Sequence, residues 1–285
     1  MFELRRIGIV KRASALLLDV ILLLVLTTGF MFIISLICKF DRAQDLANEY
    51  FAEWDDFRAE YGEEVAKFYG FKYEDDGDTI TDADGRVSDF NDVLDKLDAS
   101  NGENAETAEA YAKLQDLKER VPAAMVNAQY RYVYSLLFMM VSIGTLLSYI
   151  ILEFVLPIIF KNGQTVGKKV FGICVVRNDC VKISILSLFA RTLLGKFAIE
   201  TMFPVLLVFL FLFGGLGWLA IVLLAAITIL NIALFFATKN RTPIHDMLAM
   251  TVVVDMKLQM IFASEEELIQ KKTLAAKESV ENTKS

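Results

Sequence analysis

Hydrophobic positions in this chain form long unbroken runs. Residues 13–38 contain a single charged side chain, Asp19, and residues 132–160 also contain one, Glu153. A helix needs about 20 apolar residues to cross the hydrocarbon core of a membrane, because its backbone polar groups must be satisfied within the segment. Both runs therefore predict transmembrane helices.

A third apolar run, residues 197–237, is long enough for two membrane spans and contains only Glu200. Three glycines lie between positions 214 and 217, where a tight turn favours residues without a Cβ atom. We therefore predict a helical hairpin, with one span over 197–213 and the next over 216–237. The chain then has four transmembrane helices.

The segment between the second and third spans, residues 161–196, predicts two short elements. Apolar residues flank an Arg-Asn-Asp turn within 170–183, a pattern typical of a β-hairpin. Residues 183–196 are apolar but interrupted by Arg191 and Lys196. That interruption favours a helix lying in the membrane interface rather than one crossing the membrane.

Charge is segregated along the chain. Residues 39–131 hold 24 Asp and Glu against 11 Lys and Arg, whereas the remaining sequence holds 12 acidic and 18 basic residues. The net charge of −7 therefore combines an acidic insert with a basic membrane part. Lipid is the first partner that this arrangement predicts, and nothing in it predicts a nucleic-acid partner.

Basic residues near the ends of the spans predict the orientation. The three clusters are Arg5, Arg6, Lys11 and Arg12 before span one, Lys161, Lys168, Lys169, Arg177 and Lys182 after span two, and Lys239 and Arg241 after span four. An even number of crossings places all three on one side, which we expect to be cytoplasmic. Both termini and the hairpin would then be cytoplasmic, and the insert would face outward.

The insert has the pattern of a folded, mainly helical segment. Aromatic and aliphatic residues recur every three or four positions over 51–68, which predicts one apolar helix face. That face is either an intramolecular seam or a docking surface for an envelope protein. A small β-hairpin is predicted within 70–87, and helices are predicted over 88–97 and 104–128. Pro122 is expected to bend the last of them.

Several kinds of chemistry lack their residues in this sequence. The acidic stretch 74–84 does not have the ligand spacing of an EF-hand, and the glycine-lysine segment 163–169 is one residue short of a phosphate-binding loop. With three cysteines and one histidine, a zinc site is not expected. We therefore predict no cofactor, no metal, no catalytic residue and no enzymatic activity.

Charged residues at membrane depth are costly and are candidates for function. Arg12 and Asp19 are seven residues apart and share one face of the first helix. Asp19 would pair with a base such as Arg12 or Arg191, face a hydrated cavity, or be protonated. Glu153 would reach the membrane surface, and Asp246 would cap the next turn or pair with a basic group of the N-terminus.

Three sequence blocks together resemble the RDD family of bacterial membrane proteins. They are Arg12-Ala-Ser-Ala-Leu-Leu-Leu-Asp19, Gly163-Gln-Thr-Val-Gly-Lys-Lys-Val-Phe-Gly172-Ile-Cys-Val-Val176 and Arg241-Thr-Pro-Ile-His-Asp246-Met-Leu-Ala-Met-Thr-Val-Val-Val254. The resemblance covers about 5–38 and 133–255. It implies an inner-membrane protein with Arg12, Asp19 and Asp246 as the residues carried over, and transport as the usual suggestion. The 93 residues of the insert depart from the family pattern.

The sequence thus predicts an all-α integral membrane protein of six parts. These are the N-terminal segment and first span (1–38), the extracytoplasmic insert (39–131), the second span (132–160), the hairpin and interfacial helix (161–196), the third and fourth spans with the closing motif (197–255), and a polar cytoplasmic tail (256–285). One functional expectation is a non-catalytic membrane-anchored module whose stalk-like insert binds an envelope protein. The alternative is a transporter or cation/proton exchanger, which with four spans would require a homo-oligomer.

Overall fold

A computed structural model describes residues 7–73, 79–82, 84–213, 215–238 and 241–282 of the chain. Some positions named above lie outside these residues: Arg5, Arg6, Lys239, Gly214 and most of the acidic stretch 74–84, which includes part of the predicted β-hairpin. The described chain is mostly helical, at 73% helix.

The α-helices in chain order are α1 (Ile9–Cys38), α2 (Phe40–Phe68), α3 (Asn91–Ala99), α4 (Ala108–Arg120), α5 (Ala123–Tyr149), α6 (Leu156–Phe160), α7 (Val166–Val170), α8 (Ile185–Phe189), α9 (Phe203–Leu212), α10 (Trp218–Ala237), α11 (Ile244–Leu248) and α12 (Glu265–Asn282). The strands are β1 (Lys72–Tyr73), β2 (Thr79–Thr81), β3 (Val87–Asp89), β4 (Ile173–Arg177) and β5 (Thr251–Asp255). Two π-helical segments, Ile150–Val155 and Ala190–Met202, join α5 to α6 and α8 to α9.

Four continuous helical stretches of the described chain are long and apolar enough to cross a membrane. They are Ile9–Cys38, Ala123–Phe160, Ile185–Leu212 and Trp218–Ala237. The expectation of four membrane-spanning helices is confirmed at the level of length and composition.

The third of these helices differs from the sequence prediction. Where an interfacial helix over 183–196 and a separate span from 197 were expected, one helix runs from Ile185 to Leu212. Arg191 and Lys196, which suggested the interruption, are 1% and 7% exposed. Both side chains contact buried carboxylates, so they do not need to reach the membrane surface.

Strand β4 pairs with a partner far along the chain rather than with its neighbour. It forms an antiparallel ladder with β5, in which Val175 lies opposite Val253. The second arm of the predicted hairpin contributes only a single bridge, between Val176 and Lys182. Buried aliphatic side chains on both strands favour the long-range pairing, because each strand covers apolar area of the other.

The chain divides into two compact units, residues 1–34 with 138–285, and residues 35–137. The second unit contains the insert, with α2, α3, α4 and the antiparallel sheet β1-β2-β3, which extends the predicted hairpin by one strand. Helix α4 ends at Arg120, and α5 begins at Ala123 after Pro122.

The insert has a hydrophobic core of its own. Trp54, Phe57, Tyr61 and Val65 from the apolar face of α2 are buried in it, together with residues such as Leu97. The Trp54 indole nitrogen donates to the Val121 carbonyl at 3.1 Å. Most of the apolar face predicted over 51–68 therefore packs within the insert and is not an open docking surface.

Candidate functional site

Charged side chains collect at one end of the membrane helices. Arg12 lies near the beginning of α1, Glu153 near the end of the second span, and Arg191 near the beginning of the third. Because successive spans run in opposite directions, these three positions fall at the same end. Asp19 lies deeper, about 15 Å along the helix axis from Ile9, since each residue of an α-helix rises about 1.5 Å.

Asp246 is the centre of the first group. Its Oδ2 atom lies 3.0 Å from Arg12 Nη2, and its Oδ1 atom lies 2.7 Å from Arg191 Nε. The Thr251 hydroxyl donates to the same Oδ1 at 3.0 Å. Arg12 also donates to the Arg241 carbonyl at 2.7 Å, which ties the first helix to the loop before α11. The expected pairing of Asp246 with a base of the N-terminus therefore occurs.

The pKa of Asp246 follows from competition between burial and charge. Its side chain has no exposed area, which by itself raises the pKa of a carboxyl. The positive charge of Arg191, with smaller effects from His245 and Arg12, outweighs burial and holds the pKa of Asp246 below its usual range. The carboxylate is therefore ionised at neutral pH.

Asp19 belongs to a second group and does not pair with either arginine. Its Oδ1 atom accepts the Gly167 backbone N–H at 2.7 Å, and its Oδ2 atom accepts the Thr165 hydroxyl. The charged partner is Lys168, whose Nζ atom lies 3.7 Å from Oδ2. The sequence prediction of Arg12 or Arg191 as the partner is wrong, because both guanidinium groups are engaged by Asp246.

A glycine at position 167 is what allows this contact. A Cβ atom there would lie 2.2 Å from the Ala15 carbonyl oxygen and 2.8 Å from Asp19 Oδ1. Helix α7 therefore approaches α1 backbone to backbone, and the loop of the second motif is held against the first helix.

Glu153 was expected to reach the membrane surface, but its side chain is buried. Its Oε1 atom lies 2.5 Å from Lys196 Nζ, and its Oε2 atom lies 4.0 Å from Lys168 Nζ. The Oε2 atom is buried without a hydrogen-bond partner among the described residues. Burial, only partly countered by Glu153 and Asp19, lowers the pKa of Lys168 to about 8.

His245 connects a third pair of groups. Its Nδ1 atom lies 2.7 Å from Glu200 Oε2, and its backbone N–H donates to Glu200 Oε1 at 3.1 Å. Its Nε2 atom lies 3.7 Å from Asp246 Oδ2. Burial lowers the pKa of His245, and the carboxylates offset only part of this effect. Gly195 permits the close packing, since a Cβ atom there would lie 2.6 Å from His245 Cβ.

The π-helical segment Ala190–Met202 brings Arg191 and Lys196 to the same region. In an α-helix, two residues that are five positions apart point in directions that differ by about 140°, so these two side chains would lie on different faces. In a π-helix the hydrogen bond runs from i to i+5, so residues five apart are about one turn apart. Both side chains can therefore meet buried carboxylates.

The ionisable groups of this site balance one another. Arg12, Lys168, Arg191 and Lys196 are matched by Asp19, Glu153, Glu200 and Asp246 when His245 is neutral. A set without net charge can remain ionised in a poorly hydrated environment more readily than a single charge, because most of its charges lie beside an opposite one. We name these nine residues the polar cluster.

A cavity of about 510 Å³ borders the polar cluster. Seven residues of the polar cluster line it, namely Arg12, Asp19, Lys168, Arg191, Lys196, Glu200 and His245, and most of the other lining residues are aliphatic or aromatic. No three His, Cys, Asp or Glu side chains of the described residues come together in a manner that would hold a metal ion.

Sequence reasoning identified five candidates, and the structure places all of them in this cluster: Arg12, Asp19, Glu153, Arg191 and Asp246. It missed the roles of Lys168, Lys196 and Thr165. Lys168 and Thr165 stand in the second motif beside Gly167, so their place in that motif was the available signal. Lys196 was read only as an interruption of an apolar run.

Comparison with known proteins supports the family assignment. The RDD family model matches residues 121–250, which include the second motif and Asp246. The matched segment begins at residue 121, in the last part of the insert, so Arg12 and Asp19 lie outside it, although both contact residues inside it. No curated protein and no solved structure matches the chain. With its apolar helices, the chain is a multi-pass membrane protein, and its residues 121–250 match the RDD family model.

Proposed function

We propose that this protein is a non-catalytic, proton-coupled transporter in which Asp19 works with Arg12 and Asp246. The observation that carries the proposal is the convergence of these residues on one cavity within the membrane helices. Asp19 and Arg12 line the cavity directly, and Asp246 holds Arg12 in place at 3.0 Å.

Energetics favour this role over a purely structural one. Ionised side chains at membrane depth are unfavourable, and they are typically retained where they face a pathway or a water-filled cavity. A structural ion network would be packed dry, whereas about 510 Å³ of space borders this one. His245 adds a group that can take up a proton between Glu200 and Asp246.

The membrane, the orientation and the oligomeric state are also part of the proposal. Basic residues at the ends of the spans support an inner-membrane protein with both termini in the cytoplasm, and with the polar cluster at the cytoplasmic ends of the helices. Four spans form a small transport unit, so we propose that the working form is a homo-oligomer.

Replacing Asp19 with asparagine is expected to lower proton flux by roughly tenfold or more, because the proton-binding carboxylate is lost while its shape is kept. The measurement uses purified protein in liposomes that contain a pH-sensitive dye. One series of pulses adds sodium, potassium or lithium chloride, and a second adds potassium salts of organic acids. Flux is counted only above that of protein-free liposomes.

Asp255→Asn is the matched control for this experiment. Asp255 also pairs with a lysine of the first helix, Lys11, but it does not line the cavity. Its variant should keep the flux of the wild type. Equal flux in wild type and Asp19→Asn would show that Asp19 takes no part in the mechanism. If the wild type shows no flux with either series of salts, transport is contradicted.

A second candidate function is a membrane-anchored module that binds an envelope protein through the insert. Residues 35–137 form a compact unit with its own buried core, which is more structure than a connecting loop requires. The insert is also strongly acidic, so its partner would present a basic surface.

Cross-linking of the full-length protein in native envelopes tests this candidate. We expect one specific envelope protein to be captured through the insert, and the capture to weaken as salt is raised. Leu97→Asp provides the control, because a charge at this fully buried position should disrupt the core of the insert. Capture that is the same with this variant would exclude recognition by the folded insert.

A further inference from the structure

We propose that the cavity beside the polar cluster binds an amphipathic molecule with a single anionic head group and a hydrocarbon tail. The inference rests on the proposed transport function and names the class of solute. It follows from the shape of the cavity, from the distribution of charge along its wall, and from a buried arginine with unused donors.

The cavity lies between two helices. Residues 9, 12, 13, 16 and 19 of α1 line one side, at the spacing of a single helix face. Residues 227, 228, 231, 232 and 235 of α10 line another side with the same spacing. The stretch from Ile227 to Phe235 is about 12 Å long, since eight residues each rise about 1.5 Å. A medium-length hydrocarbon chain spans this distance.

Cations dominate the charged part of the wall. Arg12, Lys168, Arg191 and Lys196 line the cavity, whereas their partners Asp246 and Glu153 do not. These two carboxylates are 0% and 6% exposed and lie behind the cations that they neutralise. The balanced polar cluster thus presents its positive groups to the cavity.

The carboxylates on the wall are already occupied. Asp19 accepts from Gly167 and Thr165, and Glu200 accepts two bonds from His245. A cation entering the cavity would share these oxygens with their present donors and would be repelled by the four cationic side chains of the wall. An anion would be attracted by those side chains, and the donors it needs are available.

Arg191 supplies those donors. Its side chain is 2% exposed, and only its Nε atom has an acceptor, Asp246, among the described residues. Neither Nη atom has a hydrogen-bond acceptor among those residues, so their N–H groups remain available as donors. Lys196 stands one π-helical turn away with further N–H donors. A carboxylate or phosphate oxygen is the group that this geometry fits.

The volume is consistent with such a ligand. About 510 Å³ falls within the range of about 300–1,000 Å³ found for small-molecule sites. Such sites are mostly apolar with a few polar groups that fix orientation. Here α10 contributes no charged residue to the lining, and all charged groups come from the other elements, which matches a molecule with one charged end.

Photolabelling tests the inference without a transport assay. The probe is a decanoate analogue with a diazirine near the end of its chain, applied to the full-length protein in phosphatidylcholine nanodiscs. We expect labels on α1 and α10, competed by decanoate at concentrations about tenfold or more below those required of decyltrimethylammonium, which has the same tail and the opposite charge. Equal competition by the two would overturn the proposal.

Two variants locate the site. Ile232→Trp fills the cavity without touching an ion pair, and labelling should fall by about tenfold or more. Ile229→Trp is the same change at a residue of α10 with similar exposure, 65% against 53% for Ile232, that does not line the cavity, and labelling should be unchanged. Undiminished labelling in Ile232→Trp would overturn the proposal even if the protein is folded normally.

Two further comparisons show whether the ligand is a membrane lipid or a free acid, and whether the binding site and the transport function stand independently. If phosphatidylglycerol added to the nanodiscs abolishes labelling, the natural ligand is a membrane lipid; if it does not, the ligand is a free amphipathic acid. Labelling without proton flux would support the site and contradict the transporter. Proton flux without labelling would support the transporter and contradict the amphipathic ligand.

Discussion

Replacing Asp246 with alanine is expected to lower the free energy of unfolding by about 3–5 kcal/mol, the range for breaking a buried ion pair. The carboxylate neutralises Arg12 and Arg191 together, at 3.0 Å and 2.7 Å. Without it, two guanidinium groups would face each other in a region with little water. The variant should therefore unfold at much lower sodium dodecyl sulfate concentration than the wild type.

Glu265→Ala is the control for this prediction. Glu265 also pairs with an arginine, Arg177, at 2.7 Å, but its side chain is 62% exposed. An exposed pair contributes about 1 kcal/mol or less, so this variant should unfold close to the wild type. A similar small effect for Asp246→Ala would mean that the cluster is well hydrated rather than buried.

A double-mutant cycle of Asp246 and Arg12 separates the interaction free energy of this pair from the effects of the surrounding residues. Removing Arg12 should destabilise the wild type more than it destabilises Asp246→Ala, because in the second case its partner is already gone. The expected coupling free energy lies between about 0.5 and 3 kcal/mol, as for residues in direct contact. Strict additivity would contradict the observed contact.

Replacing Gly167 with alanine is the second change with a large expected effect, a destabilisation of about 3 kcal/mol or more from overpacking and a lost charged hydrogen bond. The new Cβ atom would lie 2.2 Å from a backbone oxygen of α1, which cannot rotate away. Helix α7 must then move from α1, and the N–H bond to Asp19 at 2.7 Å is lost.

Gly29→Ala is the same substitution within α1 and should have the opposite sign. No atom lies within 4 Å of a Cβ built at Gly29. Alanine favours a helix over glycine by up to about 1 kcal/mol, so this variant should be as stable as the wild type or more stable. Parallel unfolding of the two variants measures the difference. If Gly167→Ala behaves like Gly29→Ala, α7 does not pack against α1 in the way described.

The sequence determined the properties that depend on neighbouring residues. Three apolar runs, one of them long enough for two crossings, predicted four candidate spans, because the length needed to cross a membrane is a property of each run. The three motifs predicted the family, and the family model covers the second motif and the third as far as residue 250. The periodicity over 51–68 predicted the apolar face of α2, since a helix face is read from spacing alone.

Tertiary structure decided how the charges are satisfied. Arg191 and Lys196 argued against a span when taken alone, because an unpaired charge at membrane depth is unfavourable. Contacts with Asp246 and Glu153, 55 and 43 residues away, remove that objection, and so the helix continues to Leu212.

The same reason explains why β4 pairs with β5 and why Asp19 pairs with Lys168. In each case the nearest candidate in sequence was not the partner, because the partners are set by which elements pack together. The π-helical register of Ala190–Met202 also lies beyond a 3.6-residue periodicity. Local pattern thus determined the helices, whereas long-range packing decided the pairing of buried charges, since a buried charge is stable only beside the opposite charge that the fold brings to it.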